Sequence, residues 1–274
     1  MRTLRALWGA THPGPALVVT ILSLALGLAA GLEPWRVATL VAAVFCGQLS
    51  VGLSNDAIDL YRDGLVGRSD KPLVRGDIRR RTAWIVAVVA LVLALALSAV
   101  LGGWMLLAHT IALASAWAYN AGLKATPLSI APFLVSFGIF PSLATLSAPA
   151  PLIAAPWATL AGAALGAAVH LTNVLPDLDD DRRTGVRGLP HRMGAPASVV
   201  VAVLGIAAAA VAVLIGGGGG LLAWCFFAVV VALAAAVLVR MRLRGPDRTG
   251  FRLVMAAALV LAAQLVATSA GLTA

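Results

Sequence analysis

Residues 37–63, VATLVAAVFCGQLSVGLSNDAIDLYRD, decide how the chain is read. The first 19 of them, 37–55, carry no charge, and the last eight carry three aspartates and an arginine. About 20 mostly apolar residues cross the hydrocarbon core of a bilayer as one helix. The stretch is therefore a membrane span that ends in a burst of carboxylates, an expensive arrangement at a membrane edge unless a cation shares the charge.

The rest of the 274-residue chain extends this pattern: 61% of residues are hydrophobic and 11% are charged, with 20 Lys and Arg against 11 Asp and Glu and a net charge of +9. An ordinary soluble domain has roughly a quarter of its residues charged. Disordered chains and disulfide scaffolds are excluded as well, since the only two cysteines, Cys46 and Cys225, lie inside apolar runs. The positive charge does not indicate nucleic acid, because the basic residues are confined to short stretches between long apolar blocks.

The charge-free intervals 6–32, 37–55, 82–123, 125–176, 193–239 and 253–274 are 27, 19, 42, 52, 47 and 22 residues long. They hold one, one, two, two, two and one spans, the doubled ones turning near Gly102-Gly103, Pro149-Ala150-Pro151 and the glycines Gly216 to Gly220. The expectation is an all-α membrane protein of nine transmembrane helices. Of the 20 Lys and Arg, 19 fall on one side of this arrangement and only Arg36 on the other. Cytoplasmic loops retain such an excess. The protein is accordingly expected in the cell membrane as a multi-pass chain, with amino terminus and acidic loops cytoplasmic and carboxyl terminus outside. The run from Pro15 to Leu32 reads as a retained helix and not a signal peptide.

Nine of the 11 acids stand at two helix ends, after the second and the sixth span. Asn55, Asp59 and Asp63 are spaced i, i+4, i+8 and so share one helix face, and Asn173, Asp177 and Asp181 repeat them at an offset of 118. Over positions 53–76 that offset gives eight identities, among them Leu53/Leu171, Gly67/Gly185, Pro72/Pro190 and Gly76/Gly194. This reads as an internal duplication within a single domain, residues 1–274, relating the regions 37–76 and 155–194. The two spans run in the same direction, so two parallel half-bundles are expected about a central cavity.

Hard oxygen ligands from two helices, incomplete as a cage, suit Mg²⁺, which shares its coordination with substrate phosphates. Cations for a diphosphate are at hand: Arg68, Lys71 and Arg75 follow the first motif, Arg182, Arg187 and Arg192 the second, and Lys124 follows Tyr119. The histidines His12, His109, His170 and His191 have no metal-ligand spacing. Pro176 cannot donate to the carbonyl of Thr172, so a local kink is expected in the sixth helix just before Asp177.

The string Asn55-Asp56-Ala57-Ile58-Asp59-Leu60-Tyr61-Arg62-Asp63, with Arg68, Asp70-Lys71-Pro72-Leu73 and Gly76, resembles the first aspartate-rich motif of the UbiA family of intramembrane prenyltransferases. Asn173 to Asp181, with Gly185, Leu189-Pro190 and Gly194, resembles the second, and Tyr119 to Lys124 resembles the family's tyrosine and lysine element. In this chain four residues separate that tyrosine from the lysine, one more than in some members.

The resemblance implies Mg²⁺ as cofactor, held by Asp59, Asp63, Asp177 and Asp181, and a polyprenyl diphosphate whose tail lies among the helices. It implies diphosphate contacts from Asn55, Arg68, Lys71, Lys124, Asn173 and Arg187, and catalytic parts for Asp56, Asp59, Tyr119 and Lys124. Asp56 would orient the acceptor or take up a proton. The other partners are an aromatic or lipid-like acceptor and the membrane lipids, with no nucleic acid. Cyclisation of the prenyl chain and transfer to a sugar phosphate stay open as family outcomes, and a transporter of parallel repeats as the non-enzymatic alternative. The run Asp59 to Arg68 only superficially matches the CDP-alcohol phosphatidyltransferase signature, with one residue too many and Gly67 in place of its alanine.

Overall fold

The protein is described over residues 2–268 and 271–273 by a computed structural model. An amino-terminal helix, Arg2–Ala10, precedes nine longer ones: α1 Pro13–Ala29, α2 Pro34–Leu65, α3 Arg80–Leu101, α4 Gly103–Ala121, α5 Ala131–Thr145, α6 Pro156–Val174, α7 Ala195–Gly216, α8 Leu221–Arg244 and α9 Arg248–Ala267. No strand occurs among the described residues. The turns fall where the sequence places them, and Gly102 divides α3 from α4 at φ 138°, a conformation that side-chain-bearing residues rarely take.

The expected count of nine spans needs one refinement. Seven segments are long and apolar enough to cross a membrane, and an eighth results if Thr3–Ala10 and Pro13–Ala29, bent by 69°, form one span. The helix α4 is not among them. His109, Thr110, Ser115 and Asn120 lower its hydropathy, and polar contacts tie it to its neighbours. His109 Nδ1 pairs with Ser98 Oγ at 2.7 Å, and Asn120 Nδ2 donates to Val51 O at 2.9 Å.

The helices are apolar on the outside and small on the inside. On α3 the buried residues are Ala83, Ala87, Ala90, Ala94, Ser98 and Leu101, while Ile85, Val88, Val89, Val92 and Leu93 are exposed. That is the reverse of a soluble amphipathic helix and matches a lipid-facing surface with close backbone packing. Consecutive long helices touch, and α9 returns to α1 and α6, closing the ring. At the α5/α6 contact Pro141 leaves the carbonyl of Phe137 without its helical donor. Gly162 of α6 faces that oxygen so closely that a Cβ would stand 2.1 Å from it.

Four connections converge on one side of the ring. His12 reaches Asp56, Arg68 reaches Asp177, Lys124 reaches Asp59 and Arg248 reaches Asp70. Arg36 lies at the other side, donating to Ser147 O at 2.7 Å. At the expected kink the helix breaks: α6 ends at Val174, a 3-10 turn covers Leu175–Asp177, and a short helix, Leu178–Arg183, carries Asp181.

Candidate active site

The α2 helix runs unbroken through Asn55, Asp56, Asp59 and Asp63, and the three carboxylate side chains are at most 5% exposed. A buried carboxylate persists only with compensating partners, and each has one. The Lys124 ammonium contacts Asp59 Oδ1 at 2.5 Å and Asn55 Oδ1 at 3.4 Å, and Arg62 holds Asp59 Oδ2 at 2.7 Å. Lys71 Nζ sits between Asp56 Oδ1, at 2.9 Å, and Asp63 Oδ2, at 2.7 Å. Asp63 Oδ2 is buried, so that ammonium is its compensating charge.

The two acidic helix ends meet through Arg68, whose guanidinium is 3.3 Å from Asp177 Oδ1 and also holds Asp70 at 3.0 and 3.1 Å. Asp181 Oδ2 lies 3.3 Å from His191 Nε2. The second motif is thus looser and more open than the first: Asp177 is 34% exposed where Asp63 is 5%.

The two lysines differ electrostatically. Burial opposes the charge of Lys71, but Asp56 and Asp63 hold its ammonium above the ordinary lysine value. At Lys124 burial, with Arg62 and Lys71 nearby, outweighs Asp59 and holds the ammonium below it.

Of the residues singled out in the sequence, Asn55, Asp56, Asp59, Asp63, Arg68, Lys71, Lys124 and Asp177 are joined by these contacts. Tyr119 stands beside them in an aromatic cluster, edge-on to Phe133 at 5.1 Å and to His170 at 5.7 Å. His170 is itself buried, with Nε2 3.0 Å from Ser129 Oγ. Asn173 and Arg187 are exposed and are not drawn into the network. Arg187 lines an open recess of about 460 Å³ with Arg182, His191 and Arg192.

Three further participants were not legible as site residues. Arg62, i+3 from Asp59, reads in sequence as an anchoring charge at a helix end, although its spacing was a usable signal. His191 follows Asp181 by ten residues in a loop, with no periodicity to mark it. His12, 44 residues from Asp56, is flagged only by the Pro13 that starts the first span.

The donors suited to a hard divalent cation are Asn55, Asp59, Asp63, Asp177 and Asp181. Among the described residues no three acidic, imidazole or thiol groups converge into a cage. An ion bound here would draw on one or two carboxylates at a time, which is how Mg²⁺ is held when substrate phosphates complete its shell.

Comparison with known proteins identifies the fold and the family. The 33 kDa chain of bacteriochlorophyll synthase from Cereibacter sphaeroides is 30% identical over 180 residues, 62% of this chain and 59% of that one. The match thus spans about three-fifths of that relative's length. The apo structure of a UbiA homolog from Aeropyrum pernix K1 superposes with a TM-score of 0.77 at 22% identity, over 90% of this chain and 97% of that one. A UbiA homolog from Archaeoglobus fulgidus bound to DMAPP and Mg²⁺ gives 0.72 at 17% identity, over 96% and 99%. The description "UbiA prenyltransferase family" covers residues 16–260, and the chain belongs to that family.

Proposed function

We propose that the protein is an integral-membrane prenyltransferase that ionises a polyprenyl diphosphate with Mg²⁺ and passes the prenyl group to an aromatic or lipid-like acceptor. The observation that carries this reading is the meeting of two acidic helix ends through Arg68, with Lys71, Lys124 and Arg62 already turned toward them. The ring of apolar helices beside that charge offers a prenyl tail a dry environment, which a carbocation requires. Binding of DMAPP and Mg²⁺ by the Archaeoglobus fulgidus homolog supports the same reading.

In this reading Asp59, Asp63, Asp177 and Asp181 would hold the metal, and Asn55 and Asn173 would assist coordination or hold the phosphate. Bound Mg²⁺ would supply charge neutralisation at the departing diphosphate. With those carboxylates engaged, Lys124, Arg62 and Arg68 would turn to phosphate oxygens, with Arg187 at the rim, and Lys71, freed from Asp63, would reach them while keeping Asp56. The cations therefore exchange one set of anionic oxygens for another without leaving the site. The allylic C–O bond breaks with its electron pair going to diphosphate, and fixed positive side chains stabilise that charge where it develops. Tyr119, with Phe133 beside it, presents ring faces to the prenyl end, and Asp56 serves the acceptor. The basic side of the ring faces the cytoplasm, and the two acidic helix ends are read as halves of one duplicated unit.

The test is Mg²⁺-dependent release of diphosphate by purified protein from a panel of prenyl diphosphates. Asp59→Ala should lower the rate by about 10²-fold or more. Absence of release by the wild-type chain across the panel would refute the transferase reading.

A further inference from the structure

His12 lies at the bend between the amino-terminal helix and α1, with φ 55° and ψ 67°. It is the one non-glycine residue with positive φ among those described. Such a conformation persists only where the surroundings over-determine it, and here they do. A Cβ on Gly52 would stand 2.5 Å from Thr11 O and 2.9 Å from Thr11 Cα, so the backbone before His12 is seated on α2 at a place only glycine leaves open. Gly52 is one helical turn before Asp56. On the other flank Gly9 approaches Pro72, beside Lys71, so closely that a Cβ would lie 3.1 Å from its ring. The strained residue is thus fixed against both elements that carry the Asp56–Lys71 pair.

From this position His12 Nε2 lies 3.0 Å from Asp56 Oδ1. The carboxylate can only accept, so the imidazole donates its Nε2–H. Lys71 Nζ donates to the same oxygen at 2.9 Å. Both donors are spent on Oδ1, and among the described residues Oδ2 accepts no hydrogen bond. Oδ2 is not among the sealed polar atoms, so it is free to accept from a bound molecule. A diphosphate is an acceptor and an anion and would be repelled, so of the two substrates only the prenyl acceptor can satisfy it.

We propose that His12 is a positioning residue for the acceptor: with Lys71 it pins Asp56 through Oδ1, so that Oδ2 receives the O–H of a hydroxyl-bearing acceptor. This rests on the prenyltransferase reading above. His12 acts through Asp56 and touches neither the metal nor the diphosphate.

The experiment uses the full chain in two assays. Lipid profiling of expressing cells identifies a prenylated product that the wild-type chain makes and Asp59→Ala does not. Calorimetry measures binding of geranyl diphosphate with Mg²⁺ to the purified protein. His12→Ala should cut the product by about ten-fold or more, the scale of loss expected from a misplaced reactant. Its geranyl diphosphate affinity should stay within about two-fold of wild type, because removing an acceptor contact does not touch the diphosphate site. His12→Gln, whose amide N–H still donates to Asp56, should recover most of the product. Gly52→Ala, which displaces Thr11, should reproduce the selective loss. Full product formation by His12→Ala would overturn the proposal, as would a loss of geranyl diphosphate binding as large as the loss of product. If the wild-type chain shows neither Mg²⁺-dependent binding nor a product, the prenyltransferase reading falls and takes this inference with it.

Discussion

Replacing Lys71 by methionine removes one charge from a buried group of three. Its Nζ stands 2.9 Å from Asp56 and 2.7 Å from Asp63, with carboxylates only 2% and 5% exposed. At an effective dielectric constant of about 20, each contact is worth about 6 kcal/mol of Coulomb energy before desolvation is subtracted. Desolvation of the ammonium cancels much of that, and breaking a buried pair from one side costs about 3–5 kcal/mol net. Asp56 keeps His12, so most of the cost falls on Asp63, which has no other partner among the described contacts. Lys71→Met should therefore lose about 3–5 kcal/mol in reversible denaturant unfolding of the detergent-solubilised protein. Adding Asp63→Asn should return more than half of it, since the two changes act on one contact and do not add. The pH dependence has a definite sign. The folded ammonium is held above its ordinary value, so its contribution is complete below about 10.4, the unfolded lysine value, and fades as alkaline pH passes through the raised one. A Lys71→Met protein within about 0.5 kcal/mol of wild type, the range of neutral surface changes, would refute this account of the site's electrostatics.

Two further expectations concern the frame around the site. Gly162→Ala drives a Cβ to 2.1 Å from the Phe137 carbonyl, a backbone atom that cannot rotate away, and should cost about 1–3 kcal/mol, read as a lower unfolding temperature; Gly64→Ala, where nothing lies within 4 Å, is the control. Asp247 caps α9 by accepting from the Thr249 and Gly250 amides at 2.9 and 3.4 Å and is gripped by Arg240 at 2.6 Å, so Asp247→Ala should cost about 1–2 kcal/mol in the same unfolding assay. Arg240 first, then the amides, hold that carboxyl below the ordinary aspartate value, so its contribution is present above about 3.9 and is lost as pH falls through the lowered one; a loss confined to alkaline pH would contradict the assignment.

Much of this was legible because single residues dictate backbone. The turns at Gly102, at Pro149 to Pro151 and at Gly216 to Gly220 lie where uninterrupted helix was disfavoured, and the aspartates at i, i+4 share a face whatever surrounds them. The pairing of Lys124 with Asp59 follows from two charged ends lying on one side of the ring. What could not be read was long-range seating. That His12 comes to rest on Asp56 depends on Gly52 admitting the Thr11 carbonyl, a contact with no periodic trace. Arg187 faces outward although Arg68, only one residue nearer to its own motif, turns inward and bridges to Asp177. Spacing constrains a side chain on a helix; in a loop it leaves the direction open.

The two acidic ends show how one residue separates similar sequences. At the offset of 118, asparagine and aspartates coincide, but Ile58 in α2 corresponds to Pro176 after α6. Isoleucine has an amide to donate, and α2 stays helical to Leu65. Proline has none, and α6 stops at Val174, giving way to a 3-10 turn before helix resumes at Leu178. The consequence is electrostatic as much as geometric. On the straight helix Asp59 and Asp63 stay buried against lysines at 2.5 and 2.7 Å. At and beyond the 3-10 turn Asp177 and Asp181 are more open, with partners at 3.3 Å that are a guanidinium shared with Asp70 and an imidazole. Desolvation makes the first pair harder to strip of its ammonium ions than the second is of its partners, since Asp177 and Asp181 are 34% and 19% exposed. In the proposed function, a cation arriving from solution would meet the second motif as the accessible half of the site, and the first as the half that must exchange one positive charge for another.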